Sequence, residues 1–106
     1  MPSIAQLEQL LAADPRDAFV LYALAQEHAK LATSEGHRGA IGFYDRCLAV
    51  DPAYHYAYFH KAKSQEAIGD QAGAVETLRY GLAAARKRGD GQAASEIAGY
   101  LDELEP

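Results

Sequence analysis

The stretch Ala40-Ile-Gly-Phe-Tyr-Asp-Arg-Cys-Leu-Ala-Val-Asp-Pro52 decides the fold. Ile41, Tyr44, Cys47 and Leu48 recur at three- and four-residue spacing, the signature of one buried helical face. Asp51-Pro52 ends the run, because the residue before a proline is pushed out of the α region. Most of the chain can be laid over this stretch by fixed shifts. Moving back 37 residues puts Leu7 on Tyr44, Leu11 on Leu48, Asp14 on Asp51 and Pro15 on Pro52. Moving forward 34 puts Ala74 on Ala40, Val75 on Ile41, Leu78 on Tyr44 and Leu82 on Leu48. A unit of this length implies stacked helical hairpins. The shifts differ by three residues, which places an insertion within Ala32–Gly39, where a surface turn absorbs it at little loop-closure cost.

Outward from that stretch, the pattern predicts six helices. Ser3 and Gln6 have capping-box spacing, with Ile4, Leu7, Leu10 and Leu11 on one face until Asp14-Pro15. Asp17 caps a second helix over about Ala18–Thr33, whose buried stripe is Leu21, Leu24, Ala25, His28 and Leu31. The breaker-rich segment Thr33–Gly39 reads as a turn, so the third helix is Ala40–Val50. A fourth runs from about Ala53 to Ile68 and a fifth from Gln71 to about Arg88. After Gly89-Asp-Gly91, a sixth over about Gln92–Leu104 turns Ile97, Tyr100, Leu101 and Leu104 inward, with Glu96, Asp102 and Glu103 outward.

At 106 residues the chain is expected to form one domain (1–106). Its net charge of −5, from fifteen acids against ten Lys plus Arg, argues against nucleic-acid binding. The one cationic cluster, Arg86-Lys87-Arg88, sits at a helix C-terminus, where it offsets the helix dipole. The single cysteine, Cys47, falls on an apolar face, which excludes an internal disulfide and suits a reduced core thiol. The N-terminus shows no signal-peptide pattern, and no apolar run is long enough to span a bilayer. A cytoplasmic location without membrane association is the expectation.

With the period in place, the residues resemble the tetratricopeptide repeat, a helix–turn–helix unit patterned W-x₂-L-G-x₂-Y…A-x₃-F…P. The first full repeat reads Leu21-x₂-Leu24-Ala25-x₂-His28, Ala40-x₃-Tyr44, Pro52. The second reads Tyr58-x₂-Lys61-Ala62-x₂-Gln65, Ala74-x₃-Leu78, without a closing proline. The resemblance implies an all-α, right-handed stack of hairpins, a solenoid of about six helices. In it, 3–15 is a half-repeat helix, 17–52 and 53–89 are repeats, and 91–105 is a capping helix. Lys61 and Gln65 occupy slots usually apolar. They predict a looser second repeat or exposure by local tilt, Lys61 being able to snorkel.

No catalytic constellation emerges. Ser3, Ser34, Ser64 and Ser95 fall at caps, loops or helix surfaces without a nucleophile-elbow sequence. His55 and His60, five apart, point to different helix sides. His28 and His60 could meet across adjacent repeats to hold a metal, but His28 suits a core role in the family's tyrosine slot. Gly36–Gly42 lacks the spacing and preceding strand of a phosphate loop. No cofactor and no metal are expected.

One feature exceeds what packing needs. Away from their buried faces, the second helix carries Phe19, Tyr22, Gln26 and Lys30, and the fourth carries Tyr56, Phe59, His60 and Lys63. The resemblance implies that these stripes line a concave groove in which family members hold partner peptides, and aromatics dominate such interfaces. A terminal-carboxylate clamp like that of some family members is incomplete here. The favoured reading is a non-enzymatic adaptor or scaffold that binds a partner peptide or helix. The alternative is self-assembly, a homodimer formed through the Ile4/Leu7/Leu11 edge or the terminal helix. An enzyme or metal protein built on His28 and His60 ranks last.

Overall fold

Ser3 and Gln6 exchange the two hydrogen bonds that their spacing predicts: Gln6 N–H donates to Ser3 Oγ at 3.1 Å, and Ser3 N–H donates to Gln6 Oε1 at 2.8 Å. In the computed structural model, which describes residues 2–105, this capping box opens α1 (Ile4–Ala13). Then follow α2 (Ala18–Ala29), α3 (Ser34–Val50), α4 (His55–Ala67), α5 (Gln71–Arg88) and α6 (Gly91–Leu104). Among the described residues there is no strand. Side chains of Asp17, Thr33, Asp70 and Asp90 cap α2, α3, α5 and α6, whereas Tyr54, preceding α4, makes no capping bond.

Two boundaries differ from expectation, for one reason. Thr33 ends no helix; its hydroxyl accepts from Gly36 N–H at 2.9 Å and starts α3 six residues before Ala40. The chain must therefore turn before Thr33, and α2 stops at Ala29. The turn closes through Leu31 N–H to His28 O and Ala32 N–H to Ala29 O, with Ala32 left-handed at φ 55°. Thr33 and Asp70, the two caps, are 37 residues apart. The three-residue insertion thus lies inside the first turns of α3 rather than in a surface turn. Gly36 and Gly39 are helical because α3 runs against His28 there. A Cβ at position 36 would lie 2.6 Å from the His28 carbonyl oxygen, and one at position 39 would lie 3.2 Å from His28 Nδ1.

Each helix packs chiefly on its neighbours in sequence. Leu7, Val20 and Leu24 join α1 to α2, with Phe43 of α3 against them. Leu21, Ala25, Ala40, Tyr44, Cys47 and Ala57 fill the space among α2, α3 and α4. Ala62, Ala74, Leu78, Ile97, Tyr100 and Leu104 do the same for α4, α5 and α6. Fully burying a leucine such as Leu21 or Leu78 contributes roughly 1.5–3 kcal/mol. Leu10 and Leu31, expected on buried faces, are exposed at 52% and 55%. Leu10 points away from α2, and Leu31 lies in the turn where α2 has already ended.

Lys61 and Gln65 do not loosen the second hairpin. Gln65 is buried, and its Oε1 accepts from Thr77 Oγ1 of α5 at 2.7 Å. Lys61 reaches Asp45 of α3, Nζ to Oδ1 2.6 Å, its stem covered and its ammonium at the rim. The stack measures 40 × 30 × 20 Å and exposes 6011 Å², against roughly 5,800 Å² expected of a sphere-like protein of this mass.

Candidate functional site

The caps of α2 and α4, Asp17 and Tyr54, stand 37 residues apart, so the two helices run in the same phase. Equivalent positions carry equivalent residue types: Phe19 with Tyr56, Tyr22 with Phe59, Gln26 with Lys63. Tyr22 is the hub. Its ring centroid lies 5.0 Å from Tyr54, 5.9 Å from Tyr44 and 6.1 Å from His60. Gln26 Nε2 donates to Tyr22 Oη at 2.7 Å, and Tyr44 Oη donates to Gln26 Oε1 at 2.9 Å. His60 continues to Phe59 at 5.5 Å, and Phe59 meets Tyr100 of α6 at 5.2 Å. An unbroken aromatic chain therefore crosses α2, α4 and α6.

The remaining candidates lie beside that chain. Phe19 is 67% exposed, and Tyr56, 47% exposed, stacks on His55 at 4.1 Å rather than on Tyr22. Lys30 is exposed and paired with Glu27 at 2.7 Å. Lys63 holds its ammonium 5.1 Å from the Phe59 ring centroid, a cation–π contact.

Several contributors were not among the candidates. Tyr54 and Tyr44 form the floor beneath Tyr22, and α6 forms a wall. Between α4 and α6 lies a cleft of about 690 Å³ with Phe59, Lys63, Glu66, Glu96, Tyr100 and Glu103 around it. The signal was available: α6 follows α4 as α4 follows α2, so it presents the face equivalent to theirs. Aligning its cap Asp90 with Tyr54 sets Ser95 on Phe59 and Gly99 on Lys63, small residues that leave the cleft open.

Burial governs the site's electrostatics. It pushes the Tyr22 phenol up to about 12, with Tyr54 adding to the shift, and lifts Tyr44 and Tyr100 further still. These phenols stay protonated at neutral pH. Burial, then the Lys63 ammonium, lowers His60 from 6.5, so its imidazole is neutral at pH 7. Burial, then Asp51, raises the Cys47 thiol to about 11, far from a reactive thiolate.

Ser64, His37 and His28 serve packing. His37 Nδ1 lies 3.0 Å from Ser64 Oγ, and Ser64, 2% exposed, ties α3 to α4. His28 stacks on Phe43 at 5.2 Å, with Gly39 beside its ring, while His60 sits among Tyr22 and Phe59; the fold does not bring the two together. Gly36–Gly42 lies within α3 and forms no loop. Among the described residues no group of three or more His, Cys, Asp or Glu could hold a metal, and no helix is long and apolar enough to cross a membrane.

No family model matches the chain. It is 31% identical over 99 residues to a TPR repeat-containing protein of Pseudomonas aeruginosa, spanning 93% of this chain and 91% of that one. The solution structure of a tetratricopeptide repeat domain protein from Salinibacter ruber superposes with a TM-score of 0.76 at 32% identity, over 87% of this chain and 90% of that one. The TPR2B domain of yeast Sti1, in its pHsp70 complex, superposes with a TM-score of 0.85 at 25% identity, over 96% of this chain and 79% of that one.

Proposed function

The chain belongs to the tetratricopeptide-repeat family, and from that premise we propose that it is a non-enzymatic protein–protein interaction module that holds a partner peptide or helix against α2, α4 and α6. The observation that carries the reading is the aromatic chain Tyr54–Tyr22–His60–Phe59–Tyr100, whose first four members are partly open to solvent and whose last, Tyr100, is buried against α4. Rigid aromatic surface of this kind anchors partners at little entropic cost. The yeast domain, solved in complex with pHsp70, supports a protein-binding role. Within this reading, 3–15 is a half repeat, 17–52 and 53–89 are the two repeats and 91–105 is the cap. A net charge of −5 and a single buried thiol accord with a protein partner in a reducing cytoplasm, and with neither nucleic acid nor membrane.

Phe19 and Tyr56 are the residues on which to test it, because neither supports the core. Phe19→Ala plus Tyr56→Ala, changed together, leaves stability within about 0.5 kcal/mol and weakens a peptide selected on the wild-type protein by about tenfold or more. Unchanged affinity in the double variant would sink the groove as the binding face.

Self-assembly is the second reading. Ile4, Leu7 and Leu11 are largely spent in packing α1 on α2, which leaves exposed Leu10 at that end of the stack and the terminal helix α6 at the other. A single 11.5 kDa species in sedimentation at low micromolar concentration removes it.

A further inference from the structure

We propose that the α4–α6 cleft takes a lysine or arginine side chain of the bound segment; this inference rests on the peptide-groove reading and specifies its partner. Phe59 and Tyr100 form an apolar floor, their ring centroids 5.2 Å apart and tilted by 55°. A cation already sits over that floor, because Lys63 Nζ stands 5.1 Å from the Phe59 centroid. The rim is acidic: Glu66, Glu96 and Glu103 against the single ammonium of Lys63.

None of the three carboxylates has a cationic partner among the described residues, whose ion pairs are Lys30–Glu27, Lys61–Asp45 and Arg79–Glu105. Glu66 is held in place instead, its Oε1 accepting from Tyr100 Oη at 2.6 Å. A carboxylate keeps acceptor capacity beyond that one bond. His60 is neutral at pH 7 and adds no competing charge. An incoming Lys or Arg would lay its methylenes on the aromatic floor and set its charge among carboxylates that no salt bridge engages. An acidic side chain or a terminal carboxylate would meet net repulsion there. Gly99 keeps the cleft open, since a Cβ at that position would meet nothing within 4 Å.

Random dodecapeptides displayed on phage and selected on the immobilised protein test this. Fluorescence anisotropy then compares each winner with its Lys/Arg→Gln version, on wild type, on Gly99→Met and on Glu96→Gln plus Glu103→Gln. The winners are expected to share a Lys or Arg beside an apolar residue, and its change to Gln to weaken binding about tenfold. On the Glu→Gln double variant that gap shrinks to below about threefold, as the carboxylates supply it. Gly99→Met fills the cleft and weakens binding while its thermal midpoint stays at or above wild type, since Gly is the poorer helix former. Winners without basic residues, no loss on Lys/Arg→Gln, an undiminished gap on the Glu→Gln variant, or wild-type affinity in Gly99→Met each overturn the cationic pocket and leave peptide binding standing. Failure of any peptide to enrich overturns both.

Discussion

Ala32 and Gly69 hold equivalent places in successive hairpins, 37 residues apart, and both adopt left-handed backbone, φ 55° and 83°. An L residue pays about 1–2 kcal/mol for that conformation and glycine does not. Ala32→Gly should therefore raise the free energy of unfolding by about 0.5–1 kcal/mol, the relief of strain exceeding the extra freedom of the unfolded chain. Gly69→Ala should lower it by about 1 kcal/mol; denaturant titration of both variants checks the opposite signs. Gln65 and Thr77 show a slot chosen for polarity. Thr77→Val leaves a buried amide oxygen without its donor and should cost about 1–3 kcal/mol, most of it recovered by adding Gln65→Leu. Here the sequence was legible as a departure from the family pattern, but not in its outcome. Gln65 alone suggested looseness, and only Thr77, twelve residues on, turns it into a cross-helix hydrogen bond. His60 carries the pH dependence. Its folded pKa lies below the unfolded 6.5, so its contribution is intact above pH 6.5 and is lost as pH falls through the lowered value. Unfolding at pH 7 and pH 5 should show less loss of stability in His60→Gln than in wild type.

At the level of elements, the end of α2 and the start of α3 depart most from what patterning predicts. Two glycines and a Thr-Ser pair before Ala40 speak for a turn, because glycine is a poor helix former and Thr and Ser favour caps. Both signals are real, and the cap reading is correct at Thr33. Gly36 is helical for a reason of contact, with no room for a side chain against the His28 carbonyl. Gly36→Ala should therefore destabilise by about 1–3 kcal/mol despite its better helix propensity, because backbone must move to admit the methyl group. Thermal unfolding gives the sign directly. α4 shows the converse trade. Position 54, where α2 has the capping Asp17, holds a tyrosine stacked on Tyr22 at 5.0 Å, so the cap is given up for the aromatic surface. α6 was legible as a helix, yet its place as a wall of the cleft follows only from alternate helices facing the same way.

Across the whole molecule, contact between sequence neighbours makes the stack nearly one-dimensional, which is why fixed shifts could read the fold from the chain alone. The same regularity aligns equivalent positions of α2 and α4, so Tyr22, Gln26, Phe59, His60 and Lys63 fall together, while Phe19, Lys30 and Tyr56 lie beside them. Residues that were invisible to a helix-by-helix reading, Tyr44, Tyr54 and Tyr100, come from neighbouring elements and join the face only in three dimensions. One face, formed by α2, α4 and α6, is proposed to bind a partner peptide. Amide chemical-shift mapping of the ¹⁵N-labelled protein, titrated with a display-selected peptide, tests it most directly. The largest shifts are expected at Phe19, Tyr22, Phe59, His60, Lys63 and Gly99; shifts concentrated in α1, α3 or α5 would rule that face out.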